Sequence, residues 1–193
     1  SYIFFECFFN SIFVSISSLT ISLILSLSSL SIYRELMERN FLSHKIIFIS
    51  ISILLFVPSL SLSAMIFYLN FTLGFLLNNF LIVTLINSFF ITPIIFIFLI
   101  NKFMENSKSE YRNSYLFNIH PLIRLIYIDI PKIRNELLLI SSAVFILSLG
   151  DLTSVTIFND SSFKTIPLYI SQLYSSYRYD DAFFILSIFI IFI

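Results

Sequence analysis

The sequence predicts an all-α, polytopic membrane protein with about five spans. Three observations carry that expectation. Hydrophobic residues make up 58% of the 193 residues and charged ones only 11%, the balance of a membrane-embedded chain. Apolar runs of about 20 residues, the length needed to cross a hydrocarbon core of roughly 30 Å, recur along the chain. Basic residues sit in alternate connections. The segments 33–45 and 101–134 hold nine of the eleven Lys and Arg, and Lys164 and Arg178 are the other two. The positive-inside rule then places 33–45 and 101–134 in the cytoplasm.

The first span is expected from Phe8 to Ile32, followed by a charged turn from Tyr33 to Lys45. Ser11, Ser15, Ser18, Ser22, Ser26 and Ser29 recur at spacings of three and four and form one stripe on that helix. Small hydroxyl residues let a neighbouring helix approach closely, so the stripe is either a packing face or the wall of a polar pathway. Ile46 to Leu69 is the second span, with Pro58 inside it as a kink. The third runs from about Phe75 to Ile100 and carries Pro93. A fourth is expected over Leu137–Phe158, and a fifth begins near Ala182. The chain begins at Ser1 and stops inside an apolar run, which reads as one transmembrane domain, either a fragment of a longer protein or a strongly reduced subunit.

Between the third and fourth spans, Asn101 to Arg134 is the long charged connection, with six basic residues. Within it Ser109–Phe117 suits a short helix, ended by Asn118, which tolerates the left-handed conformation of a C-cap. Pro121 suits the first turn of a second helix, which runs to about Ile130 and is ended by Pro131. Leu122, Ile123, Leu125, Ile126, Ile128 and Ile130 surround Arg124 and Asp129 and make that segment amphipathic. Two short helices joined by a bend would form a projecting lever for a soluble partner. A helix lying on the membrane surface is the alternative.

Catalytic constellations are sparse in the sequence. His44 and His120 lie in separate segments, so no metal cluster or Ser-His-Asp set is suggested. With only Gly74 and Gly150, no phosphate-cradling loop is written here, and any ATP would be hydrolysed by a partner. Cys7 is the single cysteine, so it has no internal disulfide partner. Neutral net charge gives no sign of nucleic-acid binding. Asp151 is the acid expected inside a span, flanked by Ser148 and Gly150. An intramembrane acid is costly, by about 2.5–3.5 kcal/mol on insertion scales, and usually faces a cavity or a partner. These three residues are the candidates for a translocation pathway, with Gly150 permitting close backbone approach; the alternative is an acid that reaches interfacial water or pairs with a serine on a neighbouring helix.

The spacing of Asn118 and Ile128-Asp129-Ile130-Pro131 resembles the cytoplasmic loop of binding-protein-dependent ABC transporter permeases. In that family a Glu-Ala-Ala motif is followed by Gly and, thirteen residues later, by a Pro. Here Arg112-Asn113-Ser114 stands in the Glu-Ala-Ala positions and Asn118 in the Gly position, so only the Pro end matches. The likeness is closest to the thiamine-transporter branch and to the C-terminal half of those permeases. Phe145 to Asp151, Phe163 to Tyr169, Gln172-Leu173, Ser176 to Arg178 and Asp181-Ala182 carry it, with Asn10-Ser11, Arg34-Glu35-Leu36 and Val57-Pro58 upstream.

That resemblance implies the helical bundle of a type I importer permease in the bacterial inner membrane, and a transport protein rather than an enzyme. It implies an ABC ATPase dimer docked on Arg112, Tyr115, Leu116, Phe117, Asn118 and Pro131, a periplasmic solute-binding protein and a second permease half. Thiamine would be the solute, with ATP on the partner ATPase and no cofactor on this chain. A permease for another solute such as ferric iron, and a small hydrophobic respiratory-complex subunit, are the competing readings.

Overall fold

The computed structural model describes residues 2–39, 42–73, 78–105, 117, 119–158 and 163–192, and these are helical with no strand among them. Helix α1 (Tyr2–Glu38) is followed by α2 (Ser43–Ile53), a 3₁₀ turn (Leu54–Phe56), α3 (Ser59–Leu73) and α4 (Asn79–Met104). After the charged connection come α5 (Pro121–Arg124), a π turn (Leu125–Asp129), α6 (Ile130–Lys132) and α7 (Arg134–Leu149). The chain ends with α8 (Thr153–Ile157), α9 (Ile166–Ser175) and α10 (Tyr179–Phe192).

Three stretches are long and apolar enough to cross a membrane: Tyr2–Glu38, Asn79–Met104 and Arg134–Ile157. The second expected span is a bent pair of helices, with the geometry of a broken span or a re-entrant loop. Ser43–Phe56 and Ser59–Thr72 pass the same test only as a pair, bent by 93° at Pro58. The backbone shows why: Val57, ahead of the proline ring, is pushed to extended geometry at φ −81° and ψ 117°. Pro93, by contrast, sits inside an unbroken α4. The fifth expected span is represented by α10, an apolar helix that starts at Tyr179 and continues to Phe192, the last described residue.

Several boundaries differ from the sequence reading. Helix α1 does not stop at Ile32 but continues through the expected turn to Glu38. Helix α4 starts at Asn79 rather than Phe75, capped by Asn78, whose Oδ1 accepts from Phe80 N at 3.1 Å. The connection 159–181, read as a loop, contains α9, which opens with Pro167 in its first turn.

The chain forms two compact units. One comprises Ser1–Leu19, Pro58–Ser88 and Phe145–Ile193. Its apolar core joins Val14 of α1 to Ile82, Val83 and Ile86 of α4, with Val155, Phe158, Phe163 and Leu168. A second cluster gathers Cys7, Leu149, Ile166, Leu173, Ala182, Ile185 and Phe189. Serines form the packing face of α1 here: Ser11, Ser15 and Ser18 are buried, and Ser11 Oγ accepts from Ile166 N at 2.8 Å.

The other unit comprises Thr20–Val57 and Phe89–Val144. Its core is built from Leu30 of α1, Ile91, Ile95, Phe96 and Leu99 of α4, and Ile140 and Val144 of α7, all buried. Ser22 and Ser26 carry the serine stripe into it, and Ser26 Oγ donates to Thr92 O at 3.0 Å. In this unit α1 and α4 run in the same direction. Ser26 meets Thr92, and further along both helices Arg34 meets Phe103.

Candidate functional site

Two polar constellations stand out, one in each unit. In the second unit the last turns of α1 carry Arg34, whose side chain is only 2% exposed. Its two terminal nitrogens donate to the two carboxylate oxygens of Asp129, at 2.7 and 2.8 Å. The guanidinium carbon lies 4.6 Å from the centre of the Phe103 ring at the end of α4. A planar fork on a carboxylate, stacked on an aromatic face, is the arrangement arginine makes and lysine does not. Arg124 is buried beside this pair, its Nε 4.0 Å from Asp129 Oδ1.

Local sequence explains how Arg124 and Asp129 reach the same side. Residues five apart in an α-helix are about 140° apart around the axis. The wider π turn, with Ile130 N donating to Leu125 O, brings such positions nearly one above the other. His120 caps the start of this segment, its Nδ1 accepting from Leu122 N at 3.3 Å, and Pro121 takes the first helical position as expected. Pro131 does not end the helix. The widened turn leaves space for its ring, and the helix runs on to Lys132 before breaking at Ile133.

The amphipathic pattern is thereby turned inside out. The charges of Arg124 and Asp129 point inward, while Leu122, Ile123, Ile126 and Tyr127 are exposed. Phe117 is exposed as well, at 78%. Among the expected ATPase contacts, Pro131 is exposed on α6; Arg112, Tyr115, Leu116 and Asn118 lie outside the described residues, as does nearly all of the expected Ser109–Phe117 helix. At the end of α4, Lys102 Nζ is 2.8 Å from Glu105 and 3.9 Å from Glu136. The ammonium hydrogen-bonded to it holds the Glu105 carboxyl below its usual range.

In the first unit, Asp151 lies in the three-residue break between α7 and α8. Its Oδ1 accepts from Thr153 N at 3.1 Å and from Thr153 Oγ1 at 2.7 Å, an Asx turn that leads into α8. Its Oδ2 meets the Ser154 hydroxyl. From there a hydrogen-bonded chain crosses the unit. Ser154 Oγ is 2.9 Å from Asn87 Oδ1, Asn87 Nδ2 is 3.5 Å from Ser148 Oγ, and Ser148 Oγ is 2.7 Å from Ser18 Oγ. On the other side Thr153 Oγ1 is 2.9 Å from Ser59 Oγ. Ser18, Asn87, Ser148 and Ser154 are all buried. The Ser154 hydroxyl has one proton for two acceptors, Asn87 and Asp151, so the chain has two donor patterns.

Asp151 and Ser148, chosen from the sequence, thus belong to one network, but through Asn87 and Ser154, which sequence reasoning missed. An amide between Ile86 and Ser88 inside an apolar span was the available signal. Gly150 stands outside the network and is exposed. A Cβ built there would meet only backbone oxygens of Ile146 and Leu147 at 3.7 and 3.8 Å, so no close approach demands a glycine. Among the described residues no three His, Cys, Asp or Glu side chains gather as a metal site. His44 instead packs edge-on against Tyr33, ring centres 5.6 Å apart.

No protein-family model matches the chain, and no curated protein is similar to it.

Proposed function

We propose that the chain is a membrane-embedded permease subunit of a binding-protein-dependent importer, with the 119–133 segment as its docking surface for a soluble ATPase. The observation that carries this reading is the fixed, inverted helix: Arg34 and Asp129 hold it by its charged side, and Leu122, Ile123, Ile126 and Tyr127 are left exposed. Burying one such Leu or Ile side chain contributes about 1.5–3 kcal/mol, less the losses of association. An apolar helix face of this kind suits a groove on a partner. Because the segment is tied to α1 and α4 by Arg34 and Phe103, displacement of it moves those helices with it. That is the requirement for coupling ATP-driven closure of a partner to alternating access in the bundle.

In this reading the chain supplies half of the translocation pathway in the bacterial inner membrane. A second permease half, an ATPase dimer and a periplasmic binding protein complete the transporter. Thiamine is the solute proposed, on the resemblance of the 145–182 stretch, and the network from Ser18 to Asp151 is the candidate polar wall.

The test is a Leu122→Asp, Ile126→Asp double variant, co-expressed with an ABC ATPase subunit that the unmodified chain retains. It is expected in the membrane at normal level, without the ATPase after detergent purification and without uptake of labelled thiamine. Retention of the ATPase would overturn the docking assignment and favour a helix resting on the membrane surface. Uptake of a different solute by the unmodified complex would keep the docking and replace thiamine.

A further inference from the structure

Within the first unit a groove of about 320 Å³ opens beside the start of α10. Arg178 and Asp181 stand at one end of it as an exposed ion pair, with Nε and Nη2 of the arginine donating to Oδ2 at 2.8 and 2.5 Å. Ile185 and Ile188 continue the same face of α10 at helical spacing. Phe4 of α1 and Tyr169 of α9 line it too. Polarity therefore changes from ionic to hydrocarbon over seven residues, about 10 Å along the helix.

The polar end carries a second signature. Tyr174 and Tyr177 both pack on Tyr179, with ring centres 4.9 and 6.1 Å apart. Tyrosines gather at the boundary between hydrocarbon and water, where the ring is buried and the hydroxyl stays wet. Tyr177 is held there against its own backbone preference, at φ 62°. The turn that holds it closes α9, with Tyr177 N donating to Tyr174 O at 3.1 Å and Arg178 N to Leu173 O at 3.0 Å. Glycine is the usual residue at that position, so a bulky ring placed there points to a role for the ring.

We propose that this groove holds one phospholipid with a zwitterionic headgroup, its phosphate on Arg178, its ammonium on Asp181 and one acyl chain along Ile185 and Ile188. The paired charges match a headgroup carrying both signs better than a purely anionic one. The gradient along α10 matches the lipid's own. At roughly 30 Å³ for each water-sized group, the volume takes about ten such groups, which fits part of one chain. A helix, about 10 Å across, is too large. The inference rests on the membrane setting alone and is independent of the transport reading.

Native mass spectrometry of the detergent-purified full chain, equilibrated with dioleoyl phosphatidylethanolamine or dioleoyl phosphatidylglycerol, tests it. One phosphatidylethanolamine per chain should be retained, about tenfold more tightly than phosphatidylglycerol. Ile188→Trp fills the groove and should abolish retention with the melting temperature unchanged. Arg178→Gln with Asp181→Asn, both exposed positions, should leave the groove but remove the headgroup preference. Equal retention of the two lipids by the unmodified chain would overturn the proposal. So would undiminished retention by the Ile188→Trp variant, or a preference that survives loss of the ion pair.

Discussion

Arg34 and Asp129, 95 residues apart in sequence, meet through two hydrogen bonds of 2.7 and 2.8 Å in a site from which both are almost fully excluded from solvent. Breaking one side of such a pair leaves an uncompensated buried charge, which costs about 3–5 kcal/mol. Arg34→Met alone and Asp129→Leu alone should each lower thermal stability in detergent sharply. The double variant Arg34→Met, Asp129→Leu should recover only part of the loss, because the buried Arg124 still loses its carboxylate neighbour. Additive losses in that cycle would show that the two residues contribute separately.

Asn87 holds the middle of the network between Ser148 and Ser154. Hydrogen bonds between membrane helices contribute about 0.6 kcal/mol on average and up to about 1.7. Asn87→Leu should therefore destabilise the fold by about 1–2 kcal/mol, measured by denaturation in mixed micelles. Asp151→Asn keeps an acceptor for Thr153 N and should unfold as the unmodified protein does. If the pathway reading holds, the same variant lowers uptake, a separate readout.

Gly150→Ala should be nearly neutral, within about 0.5 kcal/mol, as is usual where no special contact is lost. The new methyl group meets backbone oxygens at ordinary contact distances of 3.7 and 3.8 Å. A large loss of stability or uptake would show that the glycine is needed for movement rather than for space.

Phe117 and Tyr177, exposed at 78% and 80%, are convenient sites for single cysteines, and native Cys7 is buried at 1% and should stay silent. In a Cys7→Ser background, Phe117→Cys should label with an impermeant reagent only after the cytoplasmic side is opened. Tyr177→Cys should label from outside. Helices α1 and α4 run in the same direction in their shared unit, so a chain that spans the membrane with both must recross between them, and the bent α2–α3 pair is the segment available for it. Labelling of both cysteines from outside would refute this topology.

Much of the helical plan was legible because proline and apolar length act locally. Pro58 breaks its span by forcing Val57 out of helical geometry, and Pro121 starts a helix where its missing N–H is no loss. The serine stripe was legible as a face, and five of its members are buried. The direction of the loop helix was not legible, since helical periodicity fails across a π turn and assigns Asp129 to the wrong side. Arg34 looked like a loop charge because a charged residue usually ends a span; only a partner 95 residues away lets α1 continue past it. The same distance effect hid Asn87, whose partners come from other helices.

Surface connections between helices ordinarily tolerate single-residue insertions and deletions. The Leu125–Asp129 turn makes this one an exception. Inserting one residue, even beside the exposed Tyr127, would turn Asp129 by about a further 100° relative to Arg124. The carboxylate would leave Arg34, and an isoleucine would take its place against a buried guanidinium. Homologous chains that keep the ion pair should therefore carry no added residue in this segment even where its side chains have drifted beyond recognition.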